Sequence, residues 1–179
     1  MSEDLRSLSA LALKEAFETR RLSPVEVAES LLDHVQSSDH ALNAWCLIDR
    51  ETTLALARES EQRHARGEPL GLLDGVPVAV KDVFLTPMWP TVKGSRTIDP
   101  ASTLNKRSPA TAALERHGYV PLGKTTTPAF GWQGVTDSPL CGPTNNPWHP
   151  ANTPARSTRA PAAALPPRPA ARARARRLG

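Results

Sequence analysis

A chain of 179 residues has room for one domain with its own hydrophobic core and too little for two. The formal charge of +4 comes from one end: residues 155–179 hold nine Ala, seven Arg and four Pro with no acid, and without those arginines 15 basic residues face 18 acidic ones. Residues 1–154 thus carry a charge of −3, which excludes reading them as a cationic binder of nucleic acid or anionic membrane.

In chain order, Leu11, Leu13, Ala16 and Phe17 fall near helical spacing and predict a short amphipathic helix from Ser9 to about Arg20. Ser23, Pro24 and Glu26 form a capping box that opens a second helix, with Val27, Leu31 and Val35 along one face. Asp49 caps a third, which runs to about Arg66 and ends at Gly67. The period then changes. Val76, Val78 and Val80 alternate with Pro77, Ala79 and Lys81, as in a strand with one buried face. Ser108 and Pro109 open another helix that Gly118 closes, and Tyr119 to Leu122 reads as a second strand. From Pro128 to Pro154 the Gly, Pro, Asn and Asp content indicates irregular backbone of the kind that lines sites. Alternating helices and strands favour an α/β layered architecture.

The acidic start Met-Ser-Glu-Asp has no apolar leader, and no stretch nears the roughly 18 apolar residues that span a bilayer. Cys46 and Cys141 are too few and too distant for a disulfide framework, so a reducing, cytoplasmic setting is expected. His34, His40, His64, His117 and His149 show no metal or relay spacing and read as surface or helix-end residues; neither metal nor cofactor is expected. Trp89, Trp132 and Trp148 lie in Pro/Gly-rich loops, which they should fix by packing. Gly118-Tyr-Val-Pro-Leu-Gly-Lys124-Thr125 matches the letters of a phosphate-binding loop. Its setting is wrong, because that chemistry needs a strand before the first glycine and a helix opening at the lysine. Lys81 ends an apolar run, where burial would lower its pKa toward that of a general base; the plainer reading is a solvated lysine paired with Asp82 or a neighbour.

Several blocks taken together are more specific. Leu73-Asp-Gly-Val-Pro-Val-Ala-Val-Lys-Asp82, Trp89-Pro-Thr, Gly94-Ser-Arg-Thr, Leu122-Gly-Lys-Thr-Thr-Thr-Pro128, Phe130-Gly, Asp137-Ser-Pro-Leu140 and Asn146-Pro-Trp148 occur in the order in which similar blocks occur in the amidase signature family. The chain resembles that family from about residue 5 to Pro154, its helical N-terminus and the Leu42-Asn-Ala-Trp45 turn included. The resemblance implies the N-terminal part of an α/β/α sandwich around a mixed sheet, and hydrolysis or transfer of small-molecule carboxylic amides by a Ser-cisSer-Lys triad. Lys81 matches the family's base, a neutral lysine that activates the nucleophilic serine through a cis-serine.

After Pro154 the family continues Gly-Gly-Ser-Ser-Gly-Gly, whereas this chain reads Ala155-Arg-Ser-Thr-Arg-Ala160. Ser157 alone falls in register, at the cis-serine position, without the glycines that allow positive φ. No serine follows it to act as nucleophile. The expectation is an incomplete, inactive amidase-like domain over residues 1–154 and a disordered Ala/Arg/Pro tail over 155–179, its composition that of a shifted reading frame in a GC-rich gene. Two alternatives stand beside it: the amidase subunit of a tRNA-dependent amidotransferase, and a non-catalytic module whose Arg-rich tail binds nucleic acid or another anion.

Overall fold

The computed structural model describes residues 5–146. Local signals set the helices where the sequence puts them. Helix α1 (Ala10–Glu18) starts at Ser9, whose hydroxyl accepts from Ala12 N. In α2 (Pro24–Leu42) the Ser23/Glu26 capping box is complete. Asp49 caps α3 (Arg50–Arg66), which Gly67 ends in the left-handed conformation. Ser108 and Thr111 cap α4 (Pro109–Arg116).

Strands β1 (Trp45–Ile48), β2 (Pro77–Lys81) and β3 (Val120–Thr125) form a mixed sheet in the order β1-β3-β2. The two strands expected from alternation are thus parallel neighbours, with α4 in their crossover. β1 corrects the reading of Leu42–Trp45 as a turn alone. Asn43 makes that turn, at φ 49°, and an antiparallel strand follows at once. A second correction concerns residues 128–146, where the short strands β4 (Asp137–Ser138) and β5 (Gly142–Pro143) pair within a segment expected to be irregular.

All six residues of β3 are buried, as suits the central strand, whereas β2 at the edge is only half-buried over most of its length. On one side Val120 and Leu122 join an apolar cluster with Trp45, Phe17 of α1, Val27 and Leu31 of α2, and Leu54 and Ala57 of α3. Burying such side chains is worth about 1.5–3 kcal/mol each. The β2–β3 register passes from Val78↔Pro121 to Ala79↔Gly123, skipping Leu122. A one-residue slip changes the face that later residues take. Leu122 therefore lies in the apolar cluster, while Lys124 meets polar groups.

The approach to β2 is fastened by Asp74, whose carboxylate accepts from Arg63 Nε at 2.8 Å and Nη2 at 2.7 Å and from Leu70 N at 2.7 Å. Gly118 has to be glycine here: its φ is 74°, and a methyl group would come within 2.7 Å of Asp74 Oδ1. Burial pushes the Asp74 carboxyl up, but hydrogen bonding, that of Arg63 foremost, together with the Arg63 charge outweighs it and the net shift is downward. A folded-state pKa below the unfolded value of about 3.9 adds stability in full above that pH, and this is lost as pH falls through the folded value. Asp74→Asn should cost about 2–4 kcal/mol near neutral pH by leaving Arg63 without its carboxylate. The loss should shrink on acidification, measured by urea unfolding from pH 7 to about pH 3.

Candidate active site

The candidate site lies where β2 and β3 end side by side. Lys81 closes β2 opposite Thr125, and Asp82 N donates to Thr125 O at 3.0 Å, extending the pairing one residue further. Phe84 N then donates to Lys81 O at 3.0 Å and turns the chain away. Lys81 is half-buried, and burial pushes its ammonium below the ordinary lysine range. That is the direction a lysine base requires.

Of the two partners the plainer reading allowed Lys81, Asp82 or a neighbour, Asp82 is engaged elsewhere. Successive strand residues project to opposite faces. The Asp82 carboxylate, almost fully buried, instead lies 3.6 Å from Lys124 Nζ and accepts from Gly94 N at 3.2 Å. Lys124, fully buried, also donates to Phe84 O and to Thr91 Oγ1, both at 2.7 Å. Burial raises the Asp82 carboxyl and lowers the Lys124 ammonium, while their mutual attraction opposes both shifts. Sequence reasoning missed this pair. Its one signal is Lys124 directly after the apolar run Tyr119–Gly123, where the sequence shows it only as part of a phosphate-loop pattern and of the block Leu122–Pro128. Lys124 lies on a buried strand and is already engaged, so the phosphate-loop reading has no structural support.

Through Asp82, the same pair positions the loop that faces the next segment. Gly94 packs against Ser138 and the backbone of Thr127 and Pro128, and Phe130 N donates to Lys93 O at 2.8 Å. Thr126 Oγ1 and Thr144 Oγ1 are hydrogen-bonded at 2.7 Å, and Thr144 N donates to Thr136 O at 2.9 Å. Beside them the buried hydroxyls of Thr125, Thr127 and Thr136 have no hydrogen-bond partner among the described residues. The end of the sheet thus carries a half-buried lysine, a buried acid–lysine pair and a row of threonines.

Other sequence expectations divide. Trp89 is buried and donates to Asp49 Oδ2 at 3.0 Å, fixing its loop as expected, whereas Trp132 is 89% exposed and packs no loop. His64 is a helix-end residue, in the last turn of α3, but it is buried, tilted against Phe17 at 5.7 Å, with Nε2 3.2 Å from Asp74 O. Ser157, Trp148, His149 and the Arg-rich tail lie outside the described residues. Among the described residues no group of three or more His, Cys, Asp or Glu could hold a metal, and no helix is long and apolar enough to cross a membrane.

The amidase family model matches residues 26–164, and the chain belongs to that family. It is 38% identical over 166 residues to a subunit of the glutamyl-tRNA(Gln) amidotransferase of Salinispora tropica, covering 90% of this chain and 33% of the relative. To an acylamidase of Rhodococcus erythropolis it is 36% identical over 152 residues, 84% of this chain and 31% of the relative. A crystal structure of a bacterial aryl acylamidase of the amidase signature family superposes with a TM-score of 0.79 at 29% identity, over 91% of this chain and 34% of that one. The chain spans about a third of the length of the curated relatives it matches.

The Lys124–Asp82 contact makes a sharp prediction. Lys124→Met should destabilise the chain by about 3–5 kcal/mol, because it strands a buried carboxylate. Adding Asp82→Asn should recover part of that loss. Strictly additive losses in urea unfolding would show that the two side chains are not coupled.

Proposed function

We propose that residues 1–154 form the N-terminal part of an amidase-signature catalytic domain acting on the C–N bond of small carboxylic amides, with Lys81 as its general base. The observation that carries this is the half-burial of Lys81 at the end of β2, which disfavours its charged form. A neutral amine accepts a proton; an ammonium cannot. In Ser-cisSer-Lys chemistry that proton comes by way of a serine relay from the attacking hydroxyl, and Ser157 is the residue in register with the relay serine. The covalent step also needs a nucleophilic serine. None occurs among residues 158–179. Among whole proteins, the 38% identity to an amidotransferase component favours a second reading, in which the ammonia released from one amide is transferred rather than lost to water.

The base can be tested without turnover. Reductive methylation with carbon-13 formaldehyde labels all five lysines, and Lys81→Arg assigns the resonance of interest. Lys81 should titrate below the ordinary lysine range. A Lys81 midpoint in the ordinary range of about 10.4 would remove it as the base. Alongside, the purified chain should neither hydrolyse aryl amides nor be labelled by a fluorophosphonate serine probe. Labelling that disappears in Lys81→Ala would show that a working nucleophile is present after all.

A further inference from the structure

The fold brings together two cysteines that the sequence keeps far apart. Cys46 is the residue the β1–β3 ladder skips between Trp45↔Thr125 and Leu47↔Lys124. Bulges of this kind re-aim a side chain. Its Sγ lies 3.4 Å from Lys124 O. Cys141 sits in the turn between β4 and β5, which is clamped onto the start of β1. Asn43 Nδ2 donates to Cys141 O at 2.7 Å and to Pro143 O at 2.9 Å, Thr144 Oγ1 donates to Asn43 O at 2.9 Å, and Asn145 N donates to Leu42 O at 2.7 Å. This clamp brings the turn that carries Cys141 against Asn43, three residues before Cys46, and the two thiols influence each other's ionisation. Both are free and only half-buried, so a small oxidant can reach them.

We propose that Cys46 and Cys141 form a peroxide-sensitive dithiol site that closes into an intramolecular disulfide, stapling the β4–β5 turn to β1. The neighbouring Cys46 thiol draws the Cys141 thiol down to about 7, while Cys141, with burial, pushes Cys46 up. Cys141 is accordingly the sulfur that reacts first. Its thiolate attacks the O–O bond of a hydroperoxide: an S–O bond forms, the O–O bond breaks and hydroxide or alkoxide leaves, so sulfur loses two electrons and the peroxide gains them. The Cys46 sulfur then displaces the sulfenic hydroxyl. The S–S bond forms, the S–O bond breaks, and the Cys46 proton departs with that hydroxyl as water. A thiol pair of this kind in a reducing compartment is a reversible sensor rather than a structural staple. The site is independent of the amidase reading, since neither cysteine takes part in the proposed base chemistry.

The test uses the full 179-residue chain, fully reduced, exposed to hydrogen peroxide, quenched with iodoacetamide and read by intact mass and peptide mapping. The native monomer should lose two hydrogens, link the Cys46 and Cys141 peptides, and regain both thiols with dithiothreitol. Closure should be at least ~10-fold faster than in guanidinium chloride, where the thiols meet only through closure of a long loop. In Cys46→Ser, dimedone should trap a sulfenic acid on Cys141. Oxygen addition without the cross-link, disulfides between chains, or equal rates with and without denaturant would each overturn the proposal. The native-to-denatured comparison needs no substitution, so a variant that fails to fold does not decide it.

Discussion

An ammonium group cannot be buried without partners, and the partners of Lys124 Nζ connect the parts of this molecule that matter most. One contact is with the carboxylate of Asp82, the residue after Lys81; another is with the carbonyl of Phe84, where the chain turns away from the sheet; the third is with the hydroxyl of Thr91. Asp82 in turn receives the N–H of Gly94, whose backbone lies against Thr127, Pro128 and Ser138. One buried charge thus sets the exit angle of β2, and with it the position of Lys81, and fastens the loop that faces the threonine row. Isolated in an apolar medium it would be costly; with three partners it becomes a constraint that few other conformations of the loop can meet.

The sheet supports this arrangement because β3 serves two faces. Val120 and Leu122 bind it to the helices, whereas Lys124 belongs to the polar end, and the skipped position at Leu122 separates the two regimes. A β3 without that bulge would carry Lys124 toward the cluster of Phe17, Val27 and Leu31, where nothing satisfies an ammonium. Register and burial are therefore a single requirement.

What was legible in the sequence was local. Ser23, Asp49 and Ser108 announce helices because a cap is a contact within three residues, and the valines around Pro77 announce a strand because alternation needs no partner to be visible. β1 was not legible. It has four residues, begins immediately after a left-handed Asn43, and loses its alternation at Cys46, the bulge. Lys124–Asp82, His64 against Phe17 and the meeting of Cys46 with Cys141 are likewise consequences of the packed fold rather than of spacing. The blocks around Lys81 carried the family because their order along the chain is itself information, even where no single block explains its own chemistry.

Lys81 ends β2 and Lys124 lies one residue before the end of β3, only one register step apart, and their environments differ. Lys124 is fully enclosed, meets a carboxylate, and spends its donors on Phe84 and Thr91; releasing its proton would weaken three contacts at once. That cost argues against a catalytic proton acceptor and for a residue that holds its neighbours in place. Lys81 is only half-buried, and burial itself lowers its proton affinity, which is the setting the proposed base role needs. A base that must gain and lose a proton in each cycle belongs at the second kind of site. The buried pair beside it makes the first kind necessary, since a lysine at a strand end stays half-covered only if something stiffer than itself holds that end in place.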